Sequence, residues 1–299
     1  MKLAQFQVHE AFEQTHWWFT ARRQIIRALV GAIAPASHES LIIDIGSGTG
    51  GIVAALSADY ACIGVDRDST AVAIAQGRHA ATKFLNREAP QGVQSELHHA
   101  KVVLLLDVLE HIEDDFLFLS GVLAAVQPGT FVLITAPADG DLWSKHDISF
   151  GHFRRYDRSR LMATWAGLPA SCHMCSYFNS RLYAPIKWIR RINNRLGRTA
   201  GKEGTDFAQP PRLINWLLHT IFAGEASVLA GALASGRVSA YDRGVSLAAV
   251  LRREEGELRP RTRPCGFEDE VRHEGNSGFV DGRLATNAII GVVKKCRIR

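Results

Sequence analysis

Apolar segments alternate with segments of helical periodicity through the middle of the chain. The apolar segments show little alternation with polar residues and occupy residues 41–46, 61–66, 82–86, 101–106 and 130–136. The helical segments between them lie at about residues 50–58, 69–80 and 113–126. Strands that are apolar on both faces and separated by helices are typical of a parallel sheet buried on both sides. The pattern predicts a doubly wound α/β fold, which binds ligands beyond the carboxyl ends of its strands.

The remainder of the chain adds further helices and two more strands. The two strands are predicted at residues 170–178 and 244–253, with helical sequence between them. The predicted organisation is an N-terminal helical cap (1–40), a central α/β domain (41–255) that contains a helical insertion (179–243), and a tail (256–299). The tail combines glycines and charges with few apolar residues, so we expect poor order there.

The composition limits the class of protein. A chain of 299 residues that is 46% hydrophobic can bury one sizeable core. The N-terminus lacks the pattern of a secretory signal, and no run of about 18 uncharged apolar residues marks a spanning helix, so we expect a cytoplasmic protein. The five cysteines are scattered, which argues against a disulfide framework. The net charge of +5 is modest, but basic residues crowd residues 181–202.

The segment LIIDIGSGTGG, at residues 41–51, carries two glycine patterns in overlapping registers. The pattern G-x-G-x-x-G starts at Gly46 and is typical of dinucleotide sites, whereas D-x-G-x-G-x-G starts at Asp44 and is typical of methyl-donor sites. A carboxylate at Asp44 would repel a pyrophosphate. It would attract the ammonium and sulfonium groups of S-adenosyl-L-methionine by roughly a few kcal/mol. Asp44 therefore favours S-adenosyl-L-methionine as the cofactor.

Four motifs in order resemble those of the class I S-adenosylmethionine-dependent methyltransferases. LIIDIGSGTGG resembles their motif I, GVDRDSTAVAIA the strand that ends in a ribose-binding acid, LLLDVLEHIEDD the fourth strand and its loop, and VQPGTFVLITAPA the fifth strand. Three further segments, HWWFTARRQII, HDISFGHFRRY and SYFNSRLYAP, resemble a small-molecule subgroup often described as methyltransferase-domain or type 11/12 proteins. The resemblance implies a seven-stranded Rossmann-like methyltransferase sheet with the helical insertion between strands six and seven.

The resemblance also implies which residues contact the cofactor. The chain departs from the family pattern at Asn86, where an acidic residue usually meets the adenine amine, although the side-chain oxygen of Asn86 can accept the same hydrogen bond. The expected cofactor contacts are Asp44, Gly46, Ser47, Gly48, Gly50, Asp66, Arg67, Asn86, Asp107 and Val108.

The loop after the fifth strand supplies candidates for removing a proton from an oxygen acceptor. Histidine has an unperturbed pKa of about 6.5, which suits this task, and a neighbouring carboxylate such as Asp147 can orient it. The expected catalytic residues are His146, His152 and Tyr156, and the alternative is a polar lid without a chemical role. The expected substrate contacts are Trp17, Trp18, Arg22, Arg23, Arg154 and Arg155.

Asp107, Glu110 and His111 spell D-x-x-E-H, which resembles the metal cluster of the ubiquinone-pathway O-methyltransferases. A carboxylate pair with an imidazole can hold a divalent ion. Methyl transfer needs no metal, however, and the same residues can line the methionine pocket and cap the following helix. We therefore expect no metal.

The expected acceptor is a small molecule or a lipid-linked molecule. The basic-aromatic and apolar stretches within residues 181–234 predict either a cover over the substrate site or a peripheral membrane contact. No nucleic-acid partner is expected, because the chain has no base-flipping tetrad and no RNA-binding module. A nucleic-acid methyltransferase, a non-catalytic cofactor-binding protein and an oxidoreductase remain the alternatives, and no oligomeric state is predicted.

Overall fold

The computed structural model describes residues 3–197, 201 and 206–257. In this part of the chain seven strands form one sheet, in the order β3-β2-β1-β4-β5-β7-β6. The strands are β1 (Ser37–Ile45), β2 (Tyr60–Asp66), β3 (Lys83–Asn86), β4 (Val102–Leu106), β5 (Phe131–Pro137), β6 (Ala170–Phe178) and β7 (Ser246–Arg253). The first five run parallel, and β7 pairs antiparallel with β5 and β6. The predicted seven-stranded α/β sheet is confirmed.

Helices surround the sheet and precede it. They are α1 (Leu3–Phe12), α2 (Trp17–Ile33), α3 (Gly51–Leu56), α4 (Ser69–Arg78), α5 (Gln94–His98), α6 (Asp115–Ala125), α7 (Lys145–Phe150), α8 (Arg158–Ala163), α9 (Tyr183–Arg195), α10 (Arg212–Ala223) and α11 (Glu225–Ala234). The last three lie between β6 and β7, within the segment predicted as a helical insertion. Two short helices, α5 and α7, lie in segments where the sequence pattern did not predict a helix.

The two faces of the sheet are buried by different helices. Along β4, Val103 and Leu105 pack into a core with residues of α5, α6 and α8. Val102 and Leu104 point to the other face, where residues of α2, α10 and α11 cover them. Helices α10 and α11 both contact α2. Helix α2, near the start of the chain, and helices α10 and α11, from the segment between β6 and β7, thus form one layer on this face of the sheet.

The predicted cap and the predicted tail differ in how far the structure describes them. Strand β1 begins at Ser37, inside the segment predicted as the helical cap. The predicted tail lies outside the described residues, apart from residues 256 and 257.

Among the described residues, one stretch, Arg212–Ala234, is long and apolar enough to cross a membrane by length and composition alone, and 39% of its apolar window is buried. The cytoplasmic location stays a prediction.

Candidate functional site

A cavity of about 1300 Å³ lies beyond the carboxyl ends of β1, β2, β4 and β5. Ile45, Asp66, Leu106 and Pro137 line it from the ends of these strands. Helices α1, α2 and α9 contribute further walls. This is the position where doubly wound folds bind their ligands. The cavity has two halves: a cofactor half, around the turn after β1, and an acceptor half, around the loop after β5.

The turn between β1 and α3 requires glycine. Gly46 and Gly50 adopt φ angles of 76° and 84°, which side chains other than glycine rarely accept. A Cβ atom at Gly46 would lie 2.7 Å from a methyl carbon of Val108, and one at Gly50 would lie 2.6 Å from the Phe84 ring. The glycine pattern therefore lets the backbone turn tightly beside the loop that carries Val108.

Glu13 holds this turn from outside the sheet. Its Oε1 accepts hydrogen bonds from the Gly51 amide at 2.9 Å and from Thr49 Oγ1 at 3.1 Å. Its Oε2 pairs with Arg78. A carboxylate at the start of α3 also meets the positive end of the helix dipole. Sequence reasoning missed Glu13, because nothing in its local pattern shows that the chain folds back onto the glycine turn.

Asp44 is the most distinctive group in the cofactor half. Its side chain lines the cavity, the residue is 3% exposed, and no described residue hydrogen-bonds its Oδ1. Burial raises the pKa of Asp44 to about 7, although Arg22 nearby lowers it. A buried carboxylate with a free oxygen is costly unless a cation or a donor meets it. Ser47 Oγ has no partner among the described residues either. These groups fit the ammonium end of S-adenosylmethionine.

Asp66 lies at the end of β2, where the ribose of the cofactor is expected. Its Oδ2 accepts from the Gly48 amide at 2.9 Å, and its Oδ1 accepts from the Asp68 amide at 2.9 Å. Asn86 donates its side-chain amide to the carbonyls of Asp66 and Arg67, at 3.0 and 2.9 Å. Arg67 lines the cavity, and residues 87–91 form the wall after β3. Asn86 therefore supports the turn that carries Asp66.

Arg22 joins α2 to the end of β4. Its guanidinium lies 2.8 Å from Asp107 Oδ2 and donates to Thr135 Oγ1 at 3.1 Å. The Thr135 hydroxyl in turn donates to Asp107 Oδ1 at 2.9 Å. The guanidinium lies over the Trp18 ring, 5.1 Å from its centroid, and its Nε has no partner among the described residues. The structure thus places Arg22 and Trp18, predicted as substrate contacts, beside Asp107, which was predicted as a cofactor contact.

The other two predicted substrate contacts of the N-terminal segment also line the cavity. Trp17 packs its ring against Phe222 of α10, with 5.9 Å between the ring centroids. Arg23 donates to Gln14 and to the Glu13 carbonyl. Both residues therefore connect the cavity wall to neighbouring helices.

A buried ion pair orders the acceptor half. Asp147 Oδ1 lies 2.9 Å from His152 Nδ1 and 2.9 Å from Arg155 Nε. Burial alone would raise the pKa of Asp147. The hydrogen bond from His152 and the charge of Arg155 nevertheless hold it well below its usual range. Arg155 also donates to the Ala138 carbonyl. His152 lines the cavity with Nδ1 already bound, so Nε2 is the nitrogen that remains to accept a proton.

Glu110, His111 and His152 lie close together in the cavity wall. One side-chain atom from each of the three lies within 4.8 Å of the other two. Burial raises the pKa of Glu110 well above its usual value, and burial lowers the pKa of His111 to about 4. Glu110 Oε2 has no partner among the described residues. The D-x-x-E-H hypothesis grouped these residues with Asp107, whereas the structure pairs Asp107 with Arg22 and brings in His152 instead.

Two predicted site residues lie behind the cavity wall. Tyr156 is fully buried, donates its hydroxyl to Asp115 Oδ2 at 2.9 Å and does not line the cavity. Arg154 lies 3.2 Å from the same carboxylate and donates to the Ile112 and Glu113 carbonyls. The predicted catalytic role of Tyr156 and the predicted substrate role of Arg154 disagree with this geometry. Both residues instead fix the loop after β4 to the loop after β5.

His146, the other predicted base, lines the cavity but is already engaged. Its Nδ1 accepts from the Asp206 amide at 3.1 Å, and its ring lies 4.4 Å from the Phe150 ring. Burial lowers the pKa of His146 well below its usual value, and the charge of Arg190 lowers it further. No carboxylate hydrogen bond orients its ring among the described residues.

Asn179 is a cavity residue that sequence reasoning did not single out. It follows β6 with a φ of 53°, is 1% exposed and lines the cavity. Neither polar atom of its side chain has a partner among the described residues. Unsatisfied buried amides are rare, because each costs about 1–3 kcal/mol. The segment SYFNSRLYAP was the available signal, but it carried only a family resemblance.

Comparisons with known proteins give a matching family and solved structures of low sequence identity. A family model described as a methyltransferase domain matches residues 12–186. A chain from a Haloferax volcanii complex between a methyltransferase activator and a methyltransferase has a TM-score of 0.51 and 14% identity, with 85% of this chain and 96% of that chain covered. A methyltransferase from Archaeoglobus fulgidus, with S-adenosylmethionine as donor, has a TM-score of 0.49 and 14% identity, with 83% and 98% covered. A search of curated proteins found no sequence match.

The family match and the cofactor half point to the same conclusion. The matched segment spans more than half of the chain and contains both the glycine turn and Asp66. The free carboxylate of Asp44 fits a cationic ligand. The predicted cofactor, S-adenosylmethionine, is confirmed by the family, and the chain belongs to the methyltransferase-domain family of class I S-adenosylmethionine-dependent methyltransferases.

Proposed function

We propose that this methyltransferase transfers the methyl group to an oxygen atom of an apolar small molecule or lipid-linked acceptor. The observation that carries the proposal is the Asp147–His152 pair, of which His152 lines the same cavity as Asp44. S-adenosylmethionine supplies an electrophilic methyl group when bound. An oxygen acceptor becomes a good nucleophile as it loses its proton, and a positioned histidine can take that proton.

The cofactor half has suitable groups for each end of S-adenosylmethionine. Asp44 would meet the ammonium group, and Asp66 would meet the ribose hydroxyls. The free Nε of Arg22 is available to the carboxylate of the methionine moiety. Of the remaining predicted contacts, six line the cavity: Gly46, Ser47, Gly48, Arg67, Asp107 and Val108. Gly50 and Asn86 do not line it.

His152 is the base that the geometry favours. Asp147 accepts the Nδ1 hydrogen, fixes the ring and stabilises the imidazolium that forms when Nε2 takes the acceptor proton. His146 lacks such a carboxylate partner among the described residues, and Tyr156 does not line the cavity. Of the three predicted candidates, His152 therefore combines access to the cavity with orientation.

The acceptor half combines the polar groups around His152 with apolar walls, and these walls suit an acceptor with an apolar body. Ile186 and Ile189 of α9 and Leu218 of α10 line it, together with the unpartnered amide of Asn179. Apolar walls with a small number of placed polar groups are typical of small-molecule sites. We infer that Asn179 hydrogen-bonds the acceptor while the apolar walls hold its body.

Incubation with methyl-labelled S-adenosylmethionine and a fractionated cell extract tests this function. We expect label in the lipid or small-molecule fraction, and ¹³C-methyl NMR of the purified product should show a methyl group on oxygen. Label in the nucleic-acid or protein fraction would overturn the proposed acceptor class. A methyl group on nitrogen would overturn oxygen as the target atom.

A further inference from the structure

Helices α9 and α10 carry large apolar side chains that point into solvent. Trp188 is 68% exposed, Leu213 is 73% exposed and Trp216 is 61% exposed. We use the name apolar face for six exposed residues on and directly after these helices that do not line the cavity: Trp188, Ile192, Leu196, Leu213, Trp216 and Leu217. Several large apolar side chains exposed on each of two helices point to an interaction site rather than ordinary solvent-facing surface.

Packing within the chain does not explain why these side chains are apolar. Helix α9 has no buried residue. Its inner side is held by Ile186, which packs partly buried against the core, and by polar contacts. Lys187 Nζ lies 2.8 Å from Asp139 Oδ2 and 2.9 Å from Asp141 Oδ2, and Arg190 lies 2.8 Å from Asp206. Such contacts would hold α9 equally well if its outer side were polar. The outer side of α9 is thus apolar for another reason.

The spacing puts the apolar residues of each helix on one side. Trp188, Ile192 and Leu196 recur at intervals of four residues in the sequence, and Leu213, Trp216 and Leu217 follow the pattern i, i+3, i+4. The inner end of α10, at Phe222, is buried against α2 and the sheet. Both helices are therefore amphipathic, with their outer apolar sides free to contact a partner.

The charges of the two helices indicate which kind of partner fits the apolar face. Neither helix contains an acidic residue, and their basic residues are Lys187, Arg190, Arg191, Arg195 and Arg212. Arg191, Arg195 and Arg212 are exposed beside the apolar face. Tryptophan and aliphatic side chains next to arginines match the boundary of an anionic bilayer, where lipid tails meet phosphate groups. A second copy of this chain would instead oppose like charges.

The packing of α10 and α11 indicates whether they would span a bilayer or lie on its surface. Although Arg212–Ala234 is apolar enough to cross a membrane by composition, 39% of its apolar window is buried, and α10 and α11 meet at Gly224 as two separate helices. A spanning helix would have to leave the core that it forms with α2. Contact with the bilayer surface requires no such rearrangement.

We propose that the apolar face docks this methyltransferase on the surface of an anionic lipid bilayer. Ile189 on α9 and Leu218 on α10 line the cavity, so both docking helices also form its wall. An acceptor with an apolar body can then pass from the bilayer into the acceptor half. This last step rests on the proposed function, whereas docking itself does not.

Co-sedimentation with lipid vesicles tests the docking. One set of vesicles contains phosphatidylcholine alone, and the other contains equal parts of phosphatidylcholine and phosphatidylglycerol. We expect the full chain to sediment with the anionic vesicles, to bind the neutral ones more weakly, and to lose affinity as salt is added. The double variant Trp188→Ser/Trp216→Ser should lower the partition coefficient by more than about tenfold, because two aromatic side chains no longer enter the interface.

A matched control separates docking from loss of structure. Met162 is 39% exposed on α8, whose Leu161 packs on the opposite face of the sheet, so Met162→Ser should bind vesicles like the wild type. Circular dichroism and calorimetric binding of S-adenosylmethionine should be unchanged in both variants, since none of the altered residues lines the cavity.

Three outcomes would overturn the docking proposal. They are a wild type that sediments with neither vesicle, a double variant that binds as well as the wild type, and a concentration-dependent dimer that the double variant abolishes without any vesicle binding. Failure of the proposed function is distinguishable, because methyl label in the nucleic-acid or protein fraction would overturn that function and leave vesicle binding intact. Methyl label in the lipid fraction without vesicle binding would leave the proposed function intact and overturn docking.

Discussion

Asp147 Oδ1 lies 2.9 Å from His152 Nδ1, and this contact determines which nitrogen of the imidazole is left for the cavity. Arg155 Nε binds the same carboxylate oxygen at 2.9 Å, so Asp147 is held from two sides and cannot follow His152 if the ring rotates. A fixed ring is what a general base needs, since proton transfer depends on the position of the accepting nitrogen.

Replacing His152 should separate chemistry from cofactor binding. We expect His152→Ala to lower the single-turnover rate by about a hundredfold or more, because general base catalysis typically contributes 10² to 10⁴. Calorimetric affinity for S-adenosylmethionine should stay nearly unchanged. His146→Ala is the matched control, since His146 lines the same cavity, and it should retain more turnover than His152→Ala. Wild-type rates in His152→Ala would remove this residue from the chemistry.

Asp44 should make cofactor affinity depend on pH. Its pKa is raised to about 7 by burial, and only the ionised form attracts an ammonium group. The affinity for S-adenosylmethionine should therefore fall as the pH drops below about 7 and level off above it. Calorimetry across this range should show weaker and less pH-dependent binding in Asp44→Asn. Asp59→Asn, at an exposed carboxylate that pairs with Arg27, should behave like the wild type. Equal affinity and equal pH dependence in Asp44→Asn would contradict the assignment.

Two partly buried histidines should make stability depend on pH. Burial lowers the pKa of both His9 and His111 from 6.5 to about 4. Between these values the unfolded chain binds more protons than the folded one, so the free energy of unfolding should fall as the pH drops from about 6.5 to about 4. Each histidine contributes on the order of a few kcal/mol. Urea unfolding at several pH values should show that the free energy of unfolding depends less on pH in His9→Phe than in the wild type. An unchanged pH dependence would speak against a neutral His9 in the folded chain.

Chelation tests the Glu110–His111–His152 cluster. We expect turnover to survive exhaustive chelation, because His152 acts as a base when no ion occupies its nitrogen, and methyl transfer needs no Lewis acid. Activity would be measured before chelation, after chelation and after adding back Mg²⁺ or Zn²⁺. If turnover disappears with the chelator and returns with one of these ions, the three side chains hold a metal and the expectation is wrong.

Asn179 should affect the acceptor and not the cofactor. Asn179→Gly removes the amide but keeps the positive φ of 53° accessible, so backbone strain does not confound the result. Losing one buried hydrogen bond costs about 1–3 kcal/mol, which corresponds to a rise of about fivefold to about a hundredfold in the KM for the acceptor. The dissociation constant for S-adenosylmethionine should not change. A KM like that of the wild type would mean that the amide does not contact the acceptor.

The sequence by itself determined the parallel half of the sheet and the nature of the cofactor. Strands β1, β2, β4 and β5 were predictable because both faces of their apolar runs are largely buried. The short strand β3 has exposed residues at both ends, Lys83 and Asn86, and was predicted from its place in the alternation of strands and helices. The D-x-G-x-G-x-G turn was predictable because its function depends on neighbouring residues: the glycines bend the chain beside Asp44, and the carboxylate excludes a phosphate there. Local patterns of this kind can be recognised in the sequence without knowledge of the fold.

Only the tertiary structure decided the acceptor half. His152 meets Glu110 and His111 because the loops after β4 and β5 lie side by side in the sheet, and no spacing in the sequence encodes that contact. The same holds for the neighbouring arginines Arg154 and Arg155. The first turns towards Asp115 behind the wall, whereas the second turns towards Asp147. Which side chain reaches the cavity depends on the direction that the folded backbone gives it, and that direction is set by packing between distant segments.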